Sequence, residues 1–135
     1  MKDNLGMDAQ EILAQLQGMT WEQLEHDVVP IRDAIEIISS KWKVEILTGI
    51  ARGHTRFSDL KTFVIDASEK MLASGLRQLT ELQLIKRIDL FGYMNRAEYR
   101  IMEQGLLLFK VIFAMRDWGH DYRKAVFGEK SLTSE

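Results

Sequence analysis

RFSDLKTFVIDASEKMLASGLRQLTELQLIKRIDLFGYMNRAEYRI, residues 56–101, decides the fold of this 135-residue chain. Ser58 is placed to cap a short helix ending near Phe63. Residues 64–67 form a turn, and Ser68 is a second cap, followed by Glu69 where the helix dipole favours an acid. Met71, Leu72, Gly75, Leu76, Leu79 and Leu82 then recur at helical spacing and predict the buried face of a helix reaching about residue 82. Lys70, Ala73, Ser74, Arg77 and Gln78 fall on its other face. Residues 85–91 and 97–101 are β-prone, and residues 92–96 between them predict a hairpin loop. Helix, turn, helix and basic-tipped hairpin, in that order, are the layout of a winged helix-turn-helix, whose second helix enters the DNA major groove.

Outward from this stretch the chain is mostly helical. Ile12, Leu13 and Leu16 mark a short amphipathic helix over 9–16, which Gly18 and Thr20 interrupt. Trp21 and Leu24 start another apolar patch. Pro30 suits the first turn of a helix over 31–38, because a proline there gives up no intrahelical bond. Ser40 is placed to cap the next helix, over 42–52, with Trp42, Ile46, Leu47 and Ile50 inward. The last helix spans about 103–125, and its apolar residues cover more than one stripe, more than one domain face can bury. Packing against a second copy resolves that excess, with Ile12, Leu16, Leu106, Phe109, Ile112 and Phe113 as the expected interface. The tail after Gly128 is polar and is expected to fray.

Composition narrows the function. Residues 1–55 carry 5 basic and 9 acidic side chains, residues 56–100 carry 8 and 6, and residues 101–135 carry 5 and 5. The overall charge of −2 therefore hides a modest positive excess on the helix-turn-helix and hairpin, where phosphates would lie. With no cysteine, disulfides, thiolate zinc sites and thiol switches are excluded. His26, His54 and His120 share no metal-ligand spacing. There is no glycine-rich phosphate loop and no nucleophile–base pattern, so neither an enzyme nor a cofactor is expected. No apolar leader follows Met1, and apolar runs such as residues 106–109 are far too short to span a bilayer. A cytoplasmic protein without a membrane partner is the natural expectation.

Several motifs carry a resemblance. PIRDAIEIISSKWKVEIL (residues 30–47), RFSDL (56–60), SEKMLASGLRQLTELQLIKR (68–87), EYRI (98–101) and the Trp118–Gly119 pair together resemble the HxlR family of bacterial winged-helix transcription regulators. The resemblance covers residues 28–120. It implies an α+β, mainly α, winged helix-turn-helix with an extra N-terminal helix and a long C-terminal dimerisation helix. In that scheme residues 1–27 are an N-terminal arm and dimerisation segment, and residues 121–135 are the end of the last helix and a flexible tail. The implied function is a sequence-specific DNA-binding regulator, a repressor more often than an activator, on a pseudo-palindromic operator as a homodimer. Four departures stand out. Val29 occupies a position where many members carry a cysteine, and Gln83 one where the family usually has glycine. Met94-Asn95-Arg96 replaces a wing sequence with proline, and Ile101-Met102 replaces a Leu-Thr pair, losing a helix cap.

Candidate DNA contacts follow from the helix-turn-helix reading. Ser68 and the helix start donate to phosphate, while Lys70, Ala73, Ser74 and Arg77 face base edges, with lysine or arginine reading guanine O6 and N7. Arg77 can instead pair with Glu81. Arg56 and Lys61 flank the first helix and suit backbone clamping, and Asn95 and Arg96 at the hairpin tip suit minor-groove or phosphate contact. Two other readings remain open at this level. One is a winged-helix scaffold for protein partners. The other is a repressor controlled by a small apolar effector between the Trp21, Trp42 and Trp118 regions, although a tryptophan opening a helix, as Trp42 does, is more often core.

Overall fold

The computed structural model describes residues 6–90 and 96–128. Its elements run α1 (Ala9–Gly18), α2 (Trp21–Ser39), α3 (Lys43–Ala51), α4 (Phe57–Phe63), α5 (Glu69–Glu81), β1 (Ile85–Asp89), β2 (Ala97–Ile101) and α6 (Glu103–Phe127). The architecture is mainly helical with one two-stranded antiparallel sheet, the expected winged helix-turn-helix layout. The chain divides into two units, Met1–Ser39 and Ser40–Glu135.

In the first unit, Asp8 caps α1 by accepting from the Glu11 amide at 2.8 Å. Helix α2 corrects the expectation of a helix over 31–38. Thr20 and Gln23 form a reciprocal capping box: the Thr20 amide donates to Gln23 Oε1 (2.8 Å), and the Gln23 amide donates to Thr20 Oγ1 (3.2 Å). That nucleus starts the helix a full ten residues earlier, and Pro30 lies inside it. Neither α1 nor α2 contains a buried residue.

In the second unit, α3 supplies the centre of the core through Ile46, Leu47 and Ile50. Trp42, not Ser40, is its N-cap residue, and it makes no side-chain cap bond. Trp42 is itself buried, as expected of a core tryptophan. Helix α4 starts at Phe57 with Arg56 as its N-cap, so Ser58 does not cap it. The cause lies in the sheet. Thr55 O accepts from the Tyr99 amide at 2.8 Å, holding the chain extended up to Arg56, and the first helical bond, Leu60 N–H to Arg56 O, follows at once.

Helix α5 begins where the sequence places it, and Leu72, Gly75, Leu76 and Leu79 are buried. Met71 and Leu82, also expected inward, are each 44% exposed. Met71 lies a hundred-degree step off the stripe and Leu82 is the C-cap residue, already leaving the helix. Strand β1 ends at Asp89, two residues short of the expected 91, and Ile85 pairs with Ile101 while Asp89 pairs with Ala97. The expected hairpin loop, residues 92–96, lies outside the described residues except for Arg96, as does the tail from 129. Helix α6 extends to Phe127, past the expected 125, and its N-cap residue, Met102, makes no side-chain cap bond, as the Ile101-Met102 departure implies.

The turn from α5 into β1 explains why glycine is favoured at position 83. Gln83 has φ +61°, the left-handed region that side chains disfavour. Two backbone bonds require it: Gln83 N–H to Thr80 O (3.0 Å) and Leu84 N–H to Leu79 O (3.1 Å). Leu84 is thereby turned into the core beside Leu79. Relief of this strain outweighs the extra chain entropy of glycine, so Gln83→Gly is expected to stabilise the fold by about 0.5–1 kcal/mol. Urea denaturation of the two proteins checks this, and an unchanged or lower midpoint would count against it.

Candidate nucleic-acid interface

The second helix of the helix-turn-helix is held by its start and by its buried stripe. Ser68 is the N-cap of α5, in extended conformation, and its Oγ accepts from the Met71 amide at 3.1 Å. With Leu72, Gly75, Leu76 and Leu79 inward, Lys70, Ala73 and Arg77 project to solvent and Ser74 is half-buried. Gln78 Nε2 donates to Ser74 Oγ at 3.0 Å, tying together two polar groups of that face. Among the described residues no ion pair joins Arg77 to Glu81, so the competing helix pair considered from the sequence does not form.

Lys70, Met71 and Ser74 also form one wall of an open cleft of about 300 Å³. Ser40, Trp42 and Lys43 form the other. Among the described residues the Trp42 indole N–H has no hydrogen-bond partner, and the Lys41 ammonium stands 4.7 Å from its ring centroid. Gln78 shares the exposed face of α5 with Lys70, but Lys43 carries no signal in the sequence, because its nearness to Lys70 depends on how α3 crosses α5.

The hairpin and the first helix come together. Arg56 and Arg96, far apart in sequence, line one cleft of about 450 Å³ with Phe57, Ser58, Arg87 and Tyr99. Arg87 is the residue that the sequence reading missed. Strand alternation and the register, which sets Arg87 opposite Tyr99, would have pointed to it once the strand ends were known. Lys61 sits in the last turn of α4, half-buried. Asn95 lies outside the described residues.

The residues expected to meet a second copy are all solvent-accessible to some degree. Ile12 and Leu16 are exposed on α1. On α6, Leu106 is 51% and Phe113 50% exposed, Phe109 and Ile112 are half-buried, and Gly105 alone among the residues of this helix is buried. The Phe109 and Phe113 rings lie 5.9 Å apart, and Trp118 stacks on Tyr122 at 4.9 Å. Trp21 and Trp118 are both exposed. No helix of the described residues is long and apolar enough to cross a membrane.

Known proteins share this pattern. The family model described as HxlR-like helix-turn-helix matches residues 37–127. The chain is 30% identical over 101 residues to the HTH-type transcriptional regulator YtcD of Bacillus subtilis, covering 75% of this chain and 80% of that one. It is 33% identical over 89 residues to the HTH-type transcriptional regulator YtfH of Escherichia coli, covering 66% and 71%. The crystal structure of YtcD matches with a TM-score of 0.61 at 30% identity, over 68% of this chain and 94% of that one. The reduced form of the regulator YodB from B. subtilis matches with a TM-score of 0.63 at 24% identity, over 69% and 91%, a likeness of fold.

The cap on α5 sets where the polar face begins. Ser68→Ala removes the acceptor for the Met71 amide and is expected to cost about 1 kcal/mol of stability. Ser68→Asp, which keeps an acceptor, should restore it. Equal destabilisation of both variants in thermal unfolding would show that the bond to Met71 is not what matters.

Proposed function

The chain belongs to the HxlR-like helix-turn-helix family, a family of transcription regulators, and we propose that it is a sequence-specific DNA-binding repressor acting as a homodimer on a pseudo-palindromic operator in the cytoplasm. The observation that carries this reading is the face of α5: a capped helix start followed by Lys70, Ala73 and Arg77 in solvent, with Ser74 half-buried between them. Lys70 lies in the first turn, where base edges come within reach of a helix laid in the major groove. Arg77, two turns further in, has no acidic partner to hold it off the DNA among the described residues. Arg56 and Arg96, which line one cleft, supply charge to the backbone beside it.

The homodimer reading rests on unspent apolar surface. Ile12 and Leu16 on α1, with Leu106, Phe109, Ile112 and Phe113 on α6, are the residues assigned to the contact. Two-fold symmetry then sets the spacing of the two α5 helices and hence of the half-sites. The signal is not a thiol. HypR has been solved in oxidised and reduced forms as a redox regulator, but this chain has no cysteine with which to form a disulfide.

Two outcomes test the reading. Lys70→Ala is expected to cost about 1–3 kcal/mol on the specific site and to relax sequence preference, whereas Arg96→Ala weakens specific and random DNA alike and lowers the salt slope by about one per subunit. Fluorescence anisotropy across a salt series measures both; unchanged affinity in both variants would favour a protein-binding scaffold instead. Sedimentation at micromolar concentration is expected to show a dimer, converted by Phe113→Glu to monomer or aggregate. A monomeric unmodified protein would refute the assembly.

A further inference from the structure

Three arginines from three separate elements converge on one cleft. Arg56 is the N-cap of α4, Arg87 is in the middle of β1, and Arg96 immediately precedes β2. The backbone fixes their relation. The Tyr99 amide donates to Thr55 O at 2.8 Å, joining β2 to the residue before Arg56. The Leu90 amide donates to Arg96 O at 2.9 Å, closing the hairpin beside Arg96. Arg87 pairs in register with Tyr99. The sheet face that buries Ile85 against the core therefore carries Arg87 and Tyr99 outward, over the start of α4. Asp89, two residues along the same face, accepts from Arg87 Nε at 3.1 Å and steadies its guanidinium.

The chemistry of the cleft is one-sided. Its lining residues, Arg56, Phe57, Ser58, Arg87, Arg96, Ala97 and Tyr99, include no carboxylate. Among the described residues neither Arg56 nor Arg96 takes part in an ion pair. Arg87 keeps Asp89 beside it, whereas Arg56 and Arg96 bring positive charge to the cleft with no carboxylate among its lining residues, and the planar guanidinium fork matches phosphate oxygens. All three arginines are exposed and the cleft is open, so it suits a strand that passes across it better than a small molecule that must be enclosed.

We propose that this cleft is a pocket for a single phosphate of the DNA backbone, gripped jointly by Arg56, Arg87 and Arg96. It rests on the reading of α5 as the DNA-facing helix and makes Arg87 a further DNA-binding residue. The hairpin then does not reach DNA as an independent arm. It closes on the backbone together with the start of α4, fixing the register in which α5 meets the bases.

A joint grip has a signature that separate contacts lack. Affinity of the full chain for random duplex DNA would be measured by fluorescence anisotropy across a potassium chloride series. The proteins are the wild type, R56Q, R87Q, R96Q, the three pairwise variants and the triple variant. Each neutralised phosphate contributes about one unit to the log–log salt slope. Each single substitution is expected to lower the slope by about one per subunit, and the combined variants by no more. Stepwise loss of about one unit for each arginine would show three separate phosphate contacts and overturn the proposal. So would an unchanged slope in R87Q while Lys70→Ala still weakens specific binding, a result that leaves the α5 reading standing. A wild type that binds no duplex DNA would remove both. Inorganic phosphate, titrated at constant ionic strength, separates the remaining source. If it raises the melting temperature of the wild type but not of R87Q, and R87Q leaves the DNA salt slope unchanged, the cleft holds a free anion and the proposal fails. The pairwise variants give the same readout should the triple variant not fold.

Discussion

Helix α3 can lie against both helices of the helix-turn-helix only because two positions carry no side chain. A Cβ on Gly75 of α5 would stand 2.6 Å from Ile46 Cδ1, and Ile46 is fully buried. A Cβ on Gly49 of α3 would stand 2.9 Å from Phe63 Cδ2 and 3.0 Å from Leu60 Cδ2 on α4. Ile46 and Leu60 are both fully buried, and close-packed interiors transmit such a clash rather than absorb it. The Gly75 contact sets how closely α5 approaches α3, and the Gly49 contact how closely α4 does. With Leu72, Leu76 and Leu79 seated beside Gly75, the helix turns Lys70, Ala73 and Arg77 to solvent. The polar face is thus a product of the packing beneath it.

A second constraint comes from what remains uncovered. Helix α2 contains Pro30 in its interior, a placement that costs about 3 kcal/mol in a helix that stands alone. Yet neither α1 nor α2 buries a residue to offset it. Helix α6 repeats the pattern on a larger scale, with Leu106, Phe113 and, at 67% exposure, Trp118 all in solvent. Helices of this kind derive their stability from tertiary contacts rather than from propensity. A second copy of the chain is the occupant consistent with the proposed function, because a two-fold operator needs two recognition helices at fixed separation.

Local signals in the sequence translated well into structure, and signals that compete or act at a distance did not. Ser68, Glu69 and the Leu72–Leu79 spacing are local, and α5 forms where they place it. Strand β2 likewise matches residue for residue. At the start of α2 two valid signals conflicted: Pro30 fits a first turn, but the Thr20/Gln23 capping box satisfies two amides and prevails. Ser58 is a good cap by type, yet Thr55 is bonded to Tyr99 some forty residues away, and this moves the helix start to Arg56. Arg87 escaped notice for a related reason. Its partnership with Arg56 and Arg96 exists only after the hairpin has docked on the start of α4. The departure at Gln83 was legible as a missing glycine, and the left-handed φ supplies its physical meaning.

The central claim is that two copies of α5, held at fixed spacing, read a specific DNA sequence. Selection of binding sites from random duplex DNA by the full chain tests it most directly. The account predicts enrichment of an inverted repeat whose half-site centres lie about one helical turn, roughly 10 base pairs, or a whole multiple of it, apart. Recovery of unrelated sequences after repeated rounds, or of a single unrepeated half-site, would contradict it.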